Sequence, residues 1–446
     1  MKIAVIGGAG VRAPLLIGSL AKRAKKMDIG EVAVYDIDPR KIRLLTPLAE
    51  ALLDRTGAPF KFRIAATPQE AVQGADAVIT TIREGFEAGR ARDERFCLDS
   101  GTIGQETTGA AGFAFACRSI PTLLHCARLT FDANPEAWLL NFTNPAGLAT
   151  EALLKAGFKR TIGICDSADT GKKYVATFLD TEPARVRTRV AGLNHLSFTT
   201  SIQVDGRERL PELIGDEAFL SLAQDVFPPA VVARLGCYLN EYLYYFLLPD
   251  EALARMRGEP ACRGEQVAEW NAALLDRLES KGSPRRRSDA LADYFAYVRN
   301  RNETYMNYAT GGVHVLPSDD EEGYAGVALD FLDAIHGAGK TEHVFCVPND
   351  GALPTLADDA VVEVTCSLGG GRVAPMRGIA LPDEALKLVE RVKRYESLAV
   401  EAIARRSLDA ARAALAAHPL VGDETLAGRL MDGFRRLQPA YFQDWR

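Results

Sequence analysis

Short apolar runs alternate with helical patterns through the first 185 residues. The runs are rich in Val, Ile, Leu and Ala, and several end in Gly, Asp or Asn. We predict strands at 2–7, 31–36, 62–65, 75–82, 138–142 and 160–165. Helices are expected between them, including one at 68–73 that Thr67 can cap and Pro68 can open. Strands that alternate with helices predict a parallel, doubly wound sheet.

The rhythm changes after about residue 185. A strand is expected at 196–204, before the turn pair Asp205-Gly206, and another at 361–366. Helical stretches are expected at 216–247, 264–279, 287–304, 383–417 and 423–436. We therefore predict an α/β protein with an N-terminal Rossmann-type domain, 1–185, that binds NAD, and a C-terminal α+β domain, 186–446, for catalysis and oligomerisation.

Composition narrows the class of protein. The 446 residues are 47% hydrophobic and 25% charged, which is typical of a soluble globular protein. The net charge of −6 argues against nucleic acid or a membrane surface as the main partner. No apolar run approaches the ~18 residues of a membrane span. No leader precedes the first strand and the eight cysteines contain no C-x-x-C, so we expect a cytoplasmic protein with reduced thiols.

A glycine turn follows the first strand. Gly7, Gly8 and Gly10 lie between that strand and a helical pattern, where backbone amides can hold a pyrophosphate. Asp36 ends the second strand, where a carboxylate accepts from ribose hydroxyls and repels a 2′-phosphate, which favours NAD over NADP. The alternatives are a glycine turn in an α/β domain without a cofactor and a helix-capping aspartate.

Two apolar segments, 161–166 and 190–195, each deliver a metal-capable side chain near their carboxyl end. These side chains are Cys165 and His195, and together they could bind Mn²⁺, Fe²⁺, Co²⁺ or Zn²⁺. Two ligands are too few for a structural zinc site but suit an open site completed by substrate oxygens. Each residue alone could equally be part of the core. Asp166 could assist as an acid, or could be a loop carboxylate.

Other segments are open to two interpretations. Asn144 could contact a sugar hydroxyl or serve as a turn residue before Pro145. The glycine-rich segment 104–112 could pass close to a ligand or be structural. The aromatic cluster at 240–246 is usually core.

Taken in order, these motifs resemble glycoside hydrolase family 4, the NAD- and metal-dependent 6-phospho-glucosidases. The resemblance covers nearly the whole chain. It rests on the glycine turn, Gly104-Gln105-Glu106-Thr107, Asn141-Phe142-Thr143-Asn144-Pro145-Ala146-Gly147, Gly163-Ile164-Cys165, Gly192-Leu193-Asn194-His195 and Asn240-Glu241-Tyr242-Leu243.

The resemblance implies an oxidative route in which NAD removes hydride from C3 of the sugar and a base removes the C2 proton. Cys165 and His195 would hold the metal, expected to be Mn²⁺, and Tyr242 would be the base. Its ordinary pKa, near ~10, is high for that task, so a metal or cation must lower it.

Asn144, Arg90 and Arg263 match substrate-contacting positions, although the two arginines read as surface residues on sequence alone. A homodimer or homotetramer is implied.

Departures from the family pattern leave the substrate open. Arg12 follows the glycines, Arg83-Glu84-Gly85 brings a new carboxylate near the cleft, and 281–313 differs from the β-type pattern. Asp166 resembles the α-specific branch, in which that acid protonates the leaving group, whereas 141–147 resembles the β branch, which we favour. The alternatives are a 6-phospho-α-glucosidase, a non-phosphorylated glycoside or uronide hydrolase, a lactate/malate-type dehydrogenase and a non-catalytic sensor.

Overall fold

The computed structural model describes residues 1–165, 167–280, 287–310, 323–337 and 340–446. Its strands in chain order are β1 (Lys2–Ile6), β2 (Glu31–Tyr35), β3 (Lys61–Ile64), β4 (Ala77–Thr80), β5 (Trp138–Asn141), β6 (Thr161–Gly163), β7 (Val186–Leu193), β8 (Leu196–Val204), β9 (Arg207–Glu208), β10 (Tyr238–Leu239), β11 (Thr341–Pro348), β12 (Val361–Gly369) and β13 (Arg372–Pro375).

The helices cover both faces of the main sheet and much of the C-terminal half. They are α1 (Ala13–Arg23), α2 (Pro39–Thr56), α3 (Pro68–Val72), α4 (Phe86–Asp99), α5 (Gly109–Ala133), α6 (Ala146–Lys155), α7 (Thr170–Phe178), α8 (Leu210–Ile214), α9 (Glu217–Ala223), α10 (Pro229–Leu235), α11 (Tyr244–Leu247), α12 (Pro249–Gly258), α13 (Arg263–Glu279), α14 (Arg287–Glu303), α15 (Asn307–Thr310), α16 (Gly323–His336), α17 (Asp383–Arg405), α18 (Leu408–Ala417) and α19 (Glu424–Leu437). Short 3-10 turns lie at Ser167–Asp169, Pro183–Arg185, Glu241–Leu243 and Pro439–Tyr441.

The main sheet has nine strands in the order β13-β12-β11-β6-β5-β4-β1-β2-β3. The six strands from β3 to β6 are parallel, in the doubly wound order predicted from the alternating pattern. Strands β1 and β4 are almost wholly buried, because helices cover both faces of a parallel sheet. The carboxyl ends of these strands therefore meet along one edge, where such sheets bind ligands.

A smaller sheet is formed by β7, β8, β10 and the two-residue β9. Strands β7 and β8 form an antiparallel hairpin in which Leu193 pairs with Leu196, so Asn194 and His195 make a two-residue turn. Strand β10 pairs with β8 at Phe198 and Thr199. This sheet brings the His195 turn beside the end of β10.

Several predicted elements need correction. The stretch 216–247 is not one long helix: α9 ends at Ala223, Pro229 begins α10, Gly236 is left-handed at the end of α10, and β10 follows. The stretch 383–417 is two helices, because Arg406 is left-handed and Ser407 caps α18. The cap at Thr67 is confirmed, since its hydroxyl accepts from the Glu70 amide at 3.1 Å.

The main sheet crosses the boundary proposed after residue 185. Strands β11, β12 and β13, all from the C-terminal half, extend it beyond β6, and each is antiparallel to the strand before it in the sheet. The mixed α/β class with an N-terminal Rossmann-type sheet is confirmed, and the division into 1–185 and 186–446 stays a prediction. Among the described helices, none combines the length and apolar character that a membrane span needs.

Candidate active site

Three segments converge at the carboxyl edge of the main sheet. Cys165 lies two residues beyond β6, His195 in the β7–β8 turn, and Tyr242 in the 3-10 turn after β10. The Sγ of Cys165 is 3.4 Å from Nε2 of His195. The imidazole stacks on the Tyr242 ring with centroids 3.8 Å apart and an interplanar angle of 4°. The structure thus places the two predicted metal ligands and the predicted base side by side.

The backbone at His195 is held in an uncommon conformation. Its φ of 62° lies in the left-handed region, which costs a non-glycine residue roughly 1 kcal/mol. The turn is tight because a Cβ at Gly192 would lie 2.2 Å from the Leu196 carbonyl oxygen. His195 is also buried, so its ring has little freedom to leave this position.

Gln105 and Thr107 fix the protonation of His195. The Oε1 of Gln105 accepts from the amides of Thr107 at 2.7 Å and Thr108 at 2.8 Å, so this atom is an oxygen. The Thr107 hydroxyl donates to the same oxygen at 3.0 Å. Because a hydroxyl has a single proton, its 2.6 Å contact with Nδ1 of His195 must be an N–H donation from the ring. In the neutral imidazole the lone pair of Nε2 then faces Cys165.

The Cys165 sulfur and the His195 Nε2 are placed as two ligands of one metal ion would be. Two ligands of one first-row ion, bonded at about 2.0–2.3 Å, lie roughly 3–3.6 Å apart, and Sγ and Nε2 are 3.4 Å apart. A metal-binding imidazole needs a free nitrogen whose ring partner is anchored, which Thr107 provides. No group of three or more His, Cys, Asp or Glu suited to a metal occurs in the described part of the chain, so these two ligands would need ligand oxygens to complete the shell.

Tyr242 is a buried phenol. Burial raises its pKa well above the ordinary value, the carboxylate of Glu241 and the thiol of Cys165 raise it further, and a hydrogen bond with Tyr305 opposes them. The Asn240 side chain accepts from the Tyr242 amide at 3.0 Å and donates to the Ser167 hydroxyl at 3.3 Å. Asn240 therefore ties the tyrosine turn to the segment that follows Cys165.

Arg90 is buried inside the molecule, although its sequence context alone is typical of a surface residue. Its Nε donates to Glu94 at 2.7 Å and its Nη1 lies 2.8 Å from Glu106, which also pairs with Arg83. Burial alone would raise the Glu106 pKa, but Arg83 and Arg90 hold it at about 2, so Glu106 is ionised. The Tyr242 oxygen is close enough to Arg90 to raise the arginine pKa, which places this cation near the predicted base.

Arg263 begins α13 and has no carboxylate partner within the described ranges. It donates to the carbonyl of Arg301 at 2.7 Å and to the hydroxyl of Thr304 at 3.0 Å, and it lies over the Trp270 ring. Burial lowers its pKa to about 10, with help from the neighbouring positive charges of Arg90 and Arg301. An arginine in such surroundings attracts an anion.

The glycine turn has the shape expected for a dinucleotide. Gly7 has φ 81°, and a Cβ there would lie 2.8 Å from the Thr81 carbonyl; at Gly8 it would lie 2.7 Å from Val34. At Gly10 the nearest atom to such a Cβ would be 3.8 Å away, so the absence of a side chain there leaves the turn open from outside. Asp36 supports the turn, since it accepts from the Ala9 amide at 3.0 Å.

Three further residues considered in the sequence are Asn144, Asp166 and Glu84, and the structure describes two of them. Asn144 precedes a cis peptide bond to Pro145 at the end of β5, on the same edge as Cys165. Asp166 lies outside the described residues. The Glu84 carboxylate accepts from Thr122 of α5 and from Tyr441 of the C-terminal segment, both at 3.1 Å, and its nearness to the cleft stays a prediction.

Sequence reasoning missed how Gln105 and Thr107 orient His195. The segment 104–112 was recognised as glycine-rich, but composition does not reveal which amides its glutamine would accept from. A glutamine two residues before a threonine at a helix start is the available signal, because it can close a turn onto the two following amides.

A glycine turn of dinucleotide-binding shape and the Cys165–His195 pair, at one edge of a doubly wound sheet, are typical of a dinucleotide-dependent enzyme. The model of the family 4 glycosyl hydrolases matches residues 2–181, and the model of their C-terminal domain matches 190–421. The chain belongs to family 4 of the glycosyl hydrolases.

Individual relatives match over nearly their full length. The chain is 28% identical to the "Probable 6-phospho-beta-glucosidase" of Bacillus subtilis, with 99% of this chain and 97% of that protein covered. It is 28% identical to the 6-phospho-beta-glucosidase of Escherichia coli, with 94% and 91% covered. A structure of the 6-phospho-beta-glucosidase from Thermotoga maritima, with manganese, NAD⁺ and glucose-6-phosphate, matches with a TM-score of 0.82, 27% identity and 99% of both chains covered.

Proposed function

We propose that this protein is a 6-phospho-β-glucosidase that uses NAD and Mn²⁺. The observation that carries the proposal is the convergence of Cys165, His195 and Tyr242 at the carboxyl edge of a dinucleotide-binding sheet. The relatives named above support the substrate class, since they are 6-phospho-beta-glucosidases, and one of their structures holds manganese and NAD⁺.

The cofactors would take defined places. Gly7, Gly8 and Gly10 with Asp36 would hold NAD, and Cys165 with His195 would hold the metal. When bound, the dinucleotide supplies reversible hydride transfer and the metal supplies Lewis-acid stabilisation of negative charge.

The chain's own residues then bind, orient and move a proton. Tyr242 would accept the proton from C2 of the sugar through its phenolic oxygen. Burial opposes ionisation of that phenol, so the positive charge of Arg90 and of the bound metal is needed to bring its pKa down. Arg263 and Asn144 would orient the sugar. Asp166 would protonate the leaving group in the α-specific alternative.

A substrate panel tests the proposal. Wild-type protein with NAD⁺, Mn²⁺ and a thiol reductant is assayed on 4-nitrophenyl α- and β-glucosides, each with and without a 6-phosphate. We expect turnover of the 6-phosphorylated β-glucoside, loss of turnover in EDTA, and no net accumulation of NADH. Preferential turnover of the α-anomer or of an unphosphorylated glucoside would contradict the substrate assignment, and stoichiometric NADH production would indicate a dehydrogenase.

A further inference from the structure

Arg301, on helix α14, has no acidic partner in the described part of the molecule. The only hydrogen bond of its side chain within the described residues runs from Nη1 to the Tyr297 hydroxyl, at 3.0 Å. The residue is partly buried, and arginines removed from water are ordinarily paired with a carboxylate. Neither the family resemblance nor the arrangement around Cys165 assigns it a role.

A chain of hydrogen bonds nevertheless holds Arg301 in place. The Tyr297 hydroxyl, which accepts from Arg301, donates to Oδ1 of Asn271. The Asn271 amide donates to Glu87 at 2.9 Å, and Glu87 also pairs with Lys41 at 3.2 Å. Along this network the first acid is three groups away and already paired with Lys41, so the network orients the guanidinium without giving it a carboxylate partner.

The surroundings of Arg301 are positively charged. Burial lowers its pKa, and Arg12 and Arg90 lower it further, while the Tyr297 oxygen opposes them. The two carboxylates of the cluster, Glu94 and Glu106, are engaged by Arg83 and Arg90. Four arginines, Arg83, Arg90, Arg263 and Arg301, thus share two carboxylates. The excess of two positive charges matches a phosphate monoester, which carries about −1.5 to −2 at neutral pH.

The position of Arg301 connects two regions that take phosphate groups. Its carbonyl accepts from Arg263 on the sugar side, at 2.7 Å. Two turns earlier on the same helix, Tyr294 donates to the Val11 carbonyl in the glycine turn, at 2.8 Å. Helix α14 thus lies against both the proposed sugar site and the proposed dinucleotide site.

We propose that Arg301, oriented by Tyr297 and Asn271, binds a phosphate oxyanion in this site. The inference rests on the proposed function for the identity of the carrier, which is either the 6-phosphate of the sugar or the pyrophosphate of the dinucleotide. A planar guanidinium suits both, because it can donate two parallel hydrogen bonds to phosphate oxygens.

Isothermal titration calorimetry on full-length Arg301→Gln separates the two carriers. With Mn²⁺ and NAD⁺ present, we expect glucose 6-phosphate to bind about 10- to 100-fold more weakly than to wild type, with glucose unchanged; a loss of similar size confined to NAD⁺ assigns the pyrophosphate instead. Arg299→Gln is the matched control, since Arg299 is an exposed residue on the same helix. Unchanged affinity for both phosphate ligands, or an equal loss for glucose, would overturn the proposal.

Two further variants separate binding from folding. Arg301→Lys keeps the charge but not the paired donors, so we expect an intermediate loss for the same ligand. Tyr297→Phe removes only the group that orients Arg301 and should weaken that ligand alone, by a smaller factor; no loss in either variant would contradict the orientation argument. If the wild type binds glucose 6-phosphate no better than glucose, the proposed function fails, while the NAD⁺ titration still tests Arg301.

Discussion

Two charge clusters lie near the His195 turn, and they are unbalanced in opposite directions. The front cluster, which faces the proposed substrate, contains Arg83, Arg90, Arg263, Arg301, Glu94 and Glu106. The rear cluster, which lies behind the turn, contains Glu151, Glu363, Glu396, Lys155 and Lys393.

The rear cluster supports the turn through one hydrogen bond. The Asn194 side chain donates to Glu363 at 2.9 Å, and Glu363 has no lysine partner among the described residues. Burial raises the Glu363 pKa to about 7, although bonds from Asn194, Ser197 and Cys346 oppose it. Glu151 shows the opposite outcome in the same cluster, because Lys393 and Lys155 hold its pKa at about 2 despite burial.

The comparison teaches that burial of charge has two uses here. An excess of arginine in the front cluster prepares the site for an anion that arrives from solution. In the rear cluster the excess is of acids, and no ligand is expected there, so the surplus carboxyl can remain protonated. We therefore expect front substitutions to change chemistry and binding, and rear substitutions to change stability.

The largest expected effect is on turnover, at the front. Tyr242→Phe removes the proposed base, so we expect kcat to fall by about 10²- to 10⁴-fold while NAD⁺ affinity and thermal stability stay near wild type. Tyr238→Phe is the control, because Tyr238 is a buried tyrosine of the same segment whose hydroxyl donates only to the Ala223 carbonyl. Wild-type kcat in Tyr242→Phe would remove this residue from the mechanism.

The next effect is on folding, at the rear. Lys393→Met leaves Glu151 and Glu396 without their buried cation, and we expect a loss of about 3–5 kcal/mol in the free energy of unfolding, measured with urea. Lys155→Met is the matched control: it contacts the same Glu151 at the same 2.7 Å, but its side chain is 38% exposed against 5% for Lys393. We expect less than about 1 kcal/mol there, and equal losses would contradict the distinction by burial.

A smaller effect tests the link between the metal site and the 104–112 segment. Thr107→Val removes the acceptor for Nδ1 of His195, so Mn²⁺ affinity should fall about 10- to 100-fold, measured by calorimetry. Thr108→Val is a close control, since the buried hydroxyl of Thr108 has no hydrogen-bond partner in the described structure. Thr107→Ser should restore binding. Equal Mn²⁺ affinity in the two valine variants would show that Thr107 does not orient the ligand.

The features that could be predicted from the sequence are those that depend on local residue patterns. Apolar runs that end at Gly7, Asp36 and Asn141 predicted parallel strands, and Cys165 and His195 were recognised as a pair because each follows such a run. The single helix predicted at 216–247 is wrong, because Pro229 and Gly236 interrupt the helical periodicity of that stretch.

What pattern reasoning could not supply is non-local. Strand β11 pairs with β6 through Cys346 and Gly163, which are 183 positions apart in the sequence, and no periodicity predicts that register. Arg90 and Arg263 read as surface residues because their burial depends on packing between α4 and α13. The positive excess of the front cluster is likewise a tertiary property, since Arg301 comes from a helix that the sequence placed but could not orient.

The last prediction concerns how stability changes with pH, at the rear cluster. The folded-state pKa of Glu363, about 7, lies above the ~4.3 of an unfolded glutamate, so the native protein binds the extra proton between these values and loses stability as pH rises through them. Glu363→Gln cannot titrate. The free energy of unfolding of the variant minus that of the wild type should therefore rise by on the order of 3 kcal/mol from pH 4.5 to pH 8.

The groups around this carboxyl are unchanged in the variant; they are Cys346, Asn194, Ser197 and Glu396. Subtracting the two urea-unfolding series therefore isolates the titration of Glu363. A difference that stays flat across this range would mean that Glu363 is ionised in the fold, and that the rear cluster tolerates its surplus charge as the front cluster does.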